Sequence, residues 1–190
     1  MKKEKITISS GDEVIPLCIE LLIARLRSND GAERTHAREA LVKIGRSAVP
    51  FITPLLSHNE DHVRWEACKT LQHIRDPKTA PLLASLLMDD DMDVRWVAAE
   101  ALIELEHHSI VPLLEIVRKH FDSVMLRDAA HHVLHSLKEN ELLDDQTVEM
   151  LHALKMYELP SKAAFVANKV LEHIRSRAPE KPRRTVIHKS

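Results

Sequence analysis

The stretch DHVRWEACKTLQHI, residues 61–74, is repeated along the chain. Arg64 in this stretch has a counterpart in Arg95, within DVRWVAAEALIEL. After each arginine, an alanine comes three residues later, a leucine seven later and an aliphatic residue ten later. The same spacing follows Arg34 and Arg127, so four arginines recur at a nearly constant interval. An interval of roughly 31 residues predicts an array of stacked structural repeats.

The prolines follow the same period. Pro50, Pro81 and Pro112 recur at one constant interval, and each precedes one of the arginine segments. The chain has only 3 glycines among 190 residues and is rich in residues that favour helices. Each repeat is therefore predicted to be two helices joined by a short loop, with the proline in the first and the arginine in the second. Because one such pair cannot bury its apolar face alone, neighbours must stack, which predicts an all-α solenoid of about four helical hairpins.

The predicted organisation of the chain has four parts. A flexible N-terminus (1–11) precedes four repeats (12–139), C-terminal capping helices (140–176) and a basic, disordered tail (177–190). The whole chain carries −2, with +2 on positions 1–10 and +5 on positions 175–190, so the part between them carries −9. This acidic body argues against nucleic-acid binding, because phosphate contacts supply most of that affinity.

The repeats resemble HEAT-like repeats, in particular the short class first described in phycobilisome lyases. The shared pattern is a short acidic loop, then Val-Arg, then Ala-x-x-x-Leu, after a first helix that contains proline. It covers residues 12–139 and fits the second and third repeats best, since Glu33 and Leu126 replace the valine in the first and fourth. The resemblance implies a right-handed superhelix whose second helices line a concave face. Proteins of this class mostly bind other proteins, and a few are enzymes.

The resemblance also implies a role for the repeated arginines. In HEAT-like arrays the arginine is similar to a ladder residue, which pairs with acidic loop residues of its own or an adjacent repeat. A half-buried guanidinium needs such a carboxylate partner. The predicted structural ladder consists of Arg34, Arg64, Arg95 and Arg127, with Asp30, Asp61, Asp91 and Asp93 as available partners.

The outward side of the second helices is the predicted binding surface. At about 100° per residue, Val63, Ala67 and Leu71 form an apolar stripe, and Trp65 lies on the opposite side. Trp96 occupies the same position one repeat later, and the chain has only 2 tryptophans. Tryptophan is enriched at binding hot spots but also packs between neighbouring helices, so both interpretations stay open. The predicted binding residues on the concave face are Trp65, Trp96, Lys69, Glu100, Gln72, Asp128 and His132.

No motif predicts a catalytic residue or a metal site. The sequence has no Gly-rich phosphate loop, nucleophile elbow or His-Glu-x-x-His motif. His131, His132 and His135 share one predicted helix, and whether they bind a metal stays open because a third ligand and a carboxylate are needed. Two cysteines, Cys18 and Cys68, lack CxxC spacing and are predicted to be small buried hydrophobes in a reducing compartment. No apolar run is long enough to span a bilayer, which predicts a cytoplasmic protein.

The predicted function is a non-enzymatic interaction module that binds a protein or peptide partner and uses no cofactor. The alternative is a DNA glycosylase of HEAT-like fold, which would use concave tryptophans, an aspartate and an arginine on a basic surface. Trp65, Trp96 and Asp128 superficially resemble that set. Bilin lyase-like and metal-binding functions are further alternatives, although no residue pattern identifies a chromophore or a metal.

Overall fold

The structure, a computed structural model, describes residues 11–155 and 158–177. Every regular element in these two ranges is a helix, and no strand is present there. The predicted all-α fold is thus confirmed. The predicted flexible N-terminus lies outside the described residues except for Gly11, and the predicted disordered tail does so except for Arg177, which ends a helix.

The second helices of the four repeats are continuous α-helices. They are α2 (Gly31–Ile44), α4 (Asp61–Ile74), α6 (Met92–Glu104) and α8 (Val124–Glu139). The polar loops before them supply the caps that unpaired backbone N–H groups need. The side chains of Asp30, Asp91 and Ser123 accept hydrogen bonds from N–H groups in the first turns of α2, α6 and α8. Gly45 ends α2 with a φ of 74°, a conformation that glycine adopts without strain.

The first helices are less regular than predicted. They are α1 (Gly11–Leu26), α3 (Val49–Ile52), α5 (Ala80–Ser85) and α7 (Ile110–Lys119). In the second repeat, the predicted first helix is a short α-helix between two 3₁₀ segments, Gly45–Ala48 and Thr53–Ser57. Pro54 explains the second break, because proline has no N–H to continue the α-helical hydrogen bonds.

The core runs along the stack of second helices. The leucine that recurs seven residues after each arginine is at most 1% exposed in all four repeats (Leu41, Leu71, Leu102 and Leu134). The recurring alanine is equally buried (Ala37, Ala67, Ala98 and Ala130). Because alanine is small, α2, α4, α6 and α8 pack side by side in one layer. The repeated sequence positions are therefore the ones that join neighbouring repeats.

Two helices close the C-terminal end of the stack. They are α9 (Asp145–Ala153) and α10 (Pro160–Arg177). Helix α9 packs on α8, and α10 packs on α7, so the pair covers both layers. Arg175 also reaches α7, where its guanidinium lies 2.6 Å from a Glu115 carboxylate oxygen.

The N-terminal end of the array is uncovered in the described part of the chain. Leu17 and Leu21 of α1 are 60% and 61% exposed. Cys18 is exposed too, so the prediction that both cysteines are buried is wrong for Cys18. Its helix begins the stack, and no described repeat packs against that side. Cys68 is fully buried inside the stack, and this burial raises the pKa of its thiol.

Candidate functional site

A cleft of about 310 Å³ lies between the second helices of the third and fourth repeats. We call it the α6–α8 cleft. Eight residues line it: Met92, Arg95, Trp96 and Ala99 from α6, and Met125, Asp128, Ala129 and His132 from α8. Small alanines from both helices leave the space, and larger side chains surround it. Trp96, Asp128 and His132 were among the predicted binding residues.

Three large apolar side chains in this cleft are open to solvent. Met92, Trp96 and Met125 are 69%, 59% and 50% exposed. Met92 and Trp96 are one turn apart on α6, and Met125 faces them from the first turn of α8. Neither methionine was among the predicted binding residues. The signal was present, because Met92 stands four residues before Trp96 and residues at this spacing share one side of a helix.

Trp96 is held by side chains from the next repeat. Its indole ring stacks on the imidazole of His132, with ring centroids 5.0 Å apart and 25° between the planes. His132 Nε2 lies 3.1 Å from a carboxylate oxygen of Glu100, one turn beyond Trp96 on α6. The predicted residues Trp96, Glu100 and His132 thus form one contact group across two repeats. The exposed Asp128 supplies a carboxylate to the same cleft.

Trp65 has a different environment, although it occupies the equivalent position in its repeat. Its ring is half-buried and packs against the core. The guanidinium carbon of Arg38, on α2, lies 5.8 Å from the centre of the ring. The two tryptophans therefore do not form one continuous surface. Arg38 covers Trp65, whereas the smaller Ala129 and the stacked His132 leave Trp96 open.

The remaining predicted binding residues lie elsewhere on α4. Lys69 lines a separate cleft between α2 and α4 and donates a hydrogen bond of 2.9 Å to the Gln72 side-chain oxygen. Gln72 is only 9% exposed, so its predicted outward position is wrong. The close packing of α4 against α6 explains this burial. The helical period places Gln72 on the side of α4 that carries Trp65 and Lys69. It does not show how closely α6 packs against that side.

An acidic pocket of about 280 Å³ lies beside the first turns of α4 and α6. It is lined by Arg34, Asp61, His62, Trp65, Glu66, Asp91 and Asp93. Glu66 is buried and already neutralised, because both Arg34 and Arg38 form ion pairs with it. Asp91 caps α6 through the N–H of Val94. The pocket therefore has a net negative charge from its aspartates.

The first two repeated arginines, Arg34 and Arg64, connect adjacent repeats, but through other carboxylates than those predicted. Arg64 Nε and Nη2 donate two hydrogen bonds, of 2.8 and 2.7 Å, to Asp89 in the loop of the following repeat. Burial of Asp89 raises the pKa of its carboxyl, but the hydrogen bonds from Arg64 and from a backbone N–H outweigh burial and hold this pKa below its ordinary value. Arg34 pairs with Glu66. Asp61 and Asp93, the predicted ladder carboxylates, stand in the acidic pocket instead, because the arginines extend towards the following repeat.

The last two arginines show how the ladder changes along the stack. Arg95 donates to the backbone carbonyls of Asp89 and Asp90, at 2.7 and 3.0 Å. Arg127 is 5% exposed, and its Nε and Nη1 atoms have no hydrogen-bond partner. In the described part of the loop between α9 and α10, the carboxylate of Glu158 pairs with Lys162. The ladder thus ends at a buried guanidinium in which two nitrogens have no partner.

The histidine cluster on α8 does not form a closed ligand set in the described structure. The rings of His131 and His135 lie 6.0 Å apart, and burial lowers the pKa of His131. His132 points to Glu100. No group of three or more His, Cys, Asp or Glu side chains within residues 11–155 and 158–177 is arranged to hold a metal ion.

Fold and sequence comparisons agree on the class of protein, an α-solenoid of helical hairpins. Residues 19–103 match the family of HEAT repeats. The HEAT-like repeats that the sequence indicated are thus confirmed. No curated protein matches the sequence. None of the helices in the described part of the chain is long and apolar enough to cross a membrane.

Among solved structures, the fold is similar to a chain in the complex of CpcE and CpcF of phycocyanin lyase from Nostoc sp. PCC7120. The two chains share 23% identity at a TM-score of 0.55, and the match covers 80% of this chain and 99% of the other. Two engineered proteins give TM-scores of 0.40 and 0.37, at 20% and 19% identity. Their matches cover 85% and 83% of this chain, and 49% and 98% of theirs. At these identities the likeness to known structures concerns the fold alone.

Proposed function

We propose that this protein is a non-enzymatic interaction module that binds a segment of a partner protein in the α6–α8 cleft. The observation that carries the proposal is the exposure of Trp96, which is 59% open to solvent beside two exposed methionines. Exposed apolar groups of this size, with polar residues at the edge, mark interaction sites on proteins. The mechanism is recognition, in which no bond is made or broken.

Trp96 is suited to be the anchor of such an interface. A tryptophan ring offers about 150–250 Å² of surface for burial, and burial of this area is favourable by about 25 cal/mol per Å². The stack on His132 already restricts the ring, so binding costs less conformational entropy than for a free side chain. Met92 and Met125 add flexible apolar surface that adapts to the shape of the partner.

The polar groups at the edge of the cleft supply specificity. Asp128 presents a carboxylate, and the linked pair of Glu100 and His132 presents a second carboxylate and an imidazole ring. Arg95 lines the same cleft while two backbone carbonyls hold its guanidinium. Hydrogen bonds to a partner backbone or side chain at these groups would fix its orientation in the cleft.

The charges around the tryptophans do not favour the DNA glycosylase alternative. Such an enzyme needs a cationic surface for the phosphate backbone. The pocket beside Trp65 has four carboxylates and one arginine, and that arginine pairs with Glu66. Asp128 shares its cleft with Trp96 but not with Trp65, which faces the acidic pocket.

The proposal is tested by affinity capture from cells of the source organism. The bait is the tagged full chain as wild type, as Trp96→Ala and as Phe165→Ala. Phe165 is the matched control, because it is an exposed aromatic residue (69%) on α10, away from the cleft. We expect a discrete partner that wild type and the control retain equally, with at least about tenfold less on Trp96→Ala, as for a tryptophan hot spot. Equal retention by all three proteins, each with an unchanged circular dichroism spectrum, would overturn the proposal.

A further inference from the structure

We infer that the occupant of the α6–α8 cleft is a basic amphipathic segment of a partner protein. In this arrangement, a large apolar side chain fills the cleft beside Trp96, and a lysine or arginine of the same segment lies over the acidic pocket. The inference rests on the proposed function and specifies the chemistry of its partner. It follows from how the first turn of α6 divides its side chains between the two sites.

Three consecutive residues of α6 and its cap connect the cleft to the pocket. Met92 lines the α6–α8 cleft, whereas Asp91 and Asp93 line the acidic pocket on the side of α4. The apolar and the acidic site are therefore neighbours, separated by one helix. Neighbouring packed helices are about 8–10 Å apart, so one short segment that crosses α6 reaches both sites.

The acidic pocket has negative charge that its own cations leave uncompensated. Arg34 and Arg38 are both engaged by Glu66. The pKa of the Arg64 guanidinium is raised mainly by its hydrogen bond to Asp89. The charges of Asp61 and Asp91 contribute less, so Arg64 is held by Asp89 and not by these two aspartates. In the described part of the chain, no lysine or arginine forms an ion pair with Asp61, Asp91 or Asp93.

The three aspartates lie at the N-terminal ends of two helices. Asp61 and Asp93 lie in the first turns of α4 and α6, and Asp91 caps α6. The positive end of a helix dipole stabilises a carboxylate there. The carboxylates make the pocket negative, and a basic partner side chain complements it. Nucleic acid and an acidic peptide are disfavoured by the same charges.

The distance between the two sites sets the spacing in the partner. A rise of about 1.5 Å per residue places residues i and i+7 of a helix about 10 Å apart. In a polyproline II segment, which has three residues per turn and a rise of about 3.1 Å per residue, residues i and i+3 share one side and lie about 9 Å apart. We therefore expect a basic and a large apolar residue at one of these two spacings.

A peptide-display selection tests this inference without knowledge of the natural partner. A library of random 14-residue peptides is selected on the full chain as wild type, as Trp96→Ala and as the double variant Asp61→Asn and Asp93→Asn. The two asparagines retain the shape of the aspartates and remove their charge. In the described structure neither side chain caps a helix, since Asp61 accepts a hydrogen bond only from the N–H of its neighbour His62. Asp91 is left unchanged because it caps α6.

The expected result is a set of peptides that need Trp96 and carry a basic residue three or seven positions from a large apolar one. Their affinity should fall about five- to tenfold on the double variant, as for the loss of two exposed ion pairs. It should also fall at high salt on wild type more than on the double variant. Trp96-dependent peptides without basic residues, or with unchanged affinity for the double variant, would overturn the inference and leave the proposed function standing. If no selected peptide depends on Trp96, both fall.

A synthetic peptide of residues 178–190 forms a separate arm, since this segment is itself basic and contains Val186 and Ile187. If it binds the chain truncated after residue 177 with the same dependence on Trp96 and the two aspartates, the occupant is the chain's own terminus and the inference of a separate partner is overturned. If this peptide does not bind and the peptides selected from the library are basic, the inference of a separate partner is supported.

Discussion

The indole of Trp96 and the imidazole of His132 stack across two repeats, with 5.0 Å between their centroids. A carboxylate oxygen of Glu100 lies 3.1 Å from Nε2 of the same imidazole. This contact explains how a large aromatic side chain stays ordered while more than half of it faces solvent. It also joins the third repeat to the fourth at the surface, where the ring is available for a partner.

The first prediction concerns this stack. His132→Ala removes the face on which Trp96 rests, so the indole should become more mobile and more accessible. In a Trp65→Phe background, where Trp96 is the only tryptophan, we expect stronger acrylamide quenching and a red-shifted emission. His135→Ala on the same helix is the control, since His135 has no ring contact with Trp96. Identical quenching of the two variants would show that the stack does not restrain the indole.

The two tryptophans should differ in their contribution to stability. Trp65→Ala removes a half-buried ring from the core and should lower the free energy of unfolding by about 2–3 kcal/mol, somewhat below the cost at a fully buried site. Trp96→Ala should lower it by less than about 1 kcal/mol, as for an exposed position. Equilibrium urea unfolding measures both. Comparable losses for the two variants would place Trp96 in the core and refute its assignment as an open anchor.

Arg64 and Arg127 differ in whether the nitrogens of their guanidinium groups have hydrogen-bond partners. Arg64→Met leaves the half-buried Asp89 carboxylate without the two hydrogen bonds from Arg64, and we expect a loss of about 2–4 kcal/mol. Arg127→Met removes a buried charge whose Nε and Nη1 have no partner, so the free energy of unfolding should stay equal or increase. Chemical denaturation of the two variants measures both changes in the free energy of unfolding. A large loss for Arg127→Met would show that its guanidinium does stabilise the end of the stack.

The Arg64–Asp89 pair also predicts a pH dependence. The pKa of Asp89 is lower in the folded than in the unfolded chain, so the pair contributes stability above the unfolded pKa, about 4. This contribution is lost as pH falls through the lower folded pKa. Thermal unfolding between pH 7 and pH 3 should therefore show a smaller fall for Asp89→Asn than for wild type. Glu115 and Asp144 have lowered pKa values as well and remain in both proteins, so the difference isolates Asp89. Parallel curves would contradict the prediction.

The period of the sequence was sufficient to predict the helices and the core. The alanine and leucine positions after each arginine determine how second helices pack, and this packing depends on spacing that the sequence states directly. The environment of Trp65 and Trp96 could not be predicted in this way. It depends on which side chain the neighbouring repeat places beside the ring, Arg38 in one case and His132 in the other. Equal positions in a repeat therefore have unequal exposure.

The partners of the arginines were predicted only in part, for a similar reason. Pairing was predicted with acidic loop residues of the same or an adjacent repeat, which describes Asp89, 25 residues beyond Arg64, although this aspartate was not among the named partners. Glu66, 32 residues beyond Arg34, lies inside α4 rather than in a loop. Contacts of this range follow from the offset between stacked repeats, which the sequence does not specify. The same offset turns Asp61 and Asp93 towards the acidic pocket. The methionines of the cleft were missed because the helical wheel was centred on the tryptophans and polar residues.

Photo-crosslinking from inside the cleft tests most directly whether a partner binds there. A benzoylphenylalanine at position 92 replaces Met92, next to Trp96, and a second protein carries the same group at position 165 on α10. Both are irradiated in cells of the source organism. We predict that position 92 yields a discrete crosslinked polypeptide, that Trp96→Ala abolishes it, and that position 165 yields none of the same size. No crosslink from position 92, or the same product from both positions, would contradict the assignment of the α6–α8 cleft as the partner-binding site.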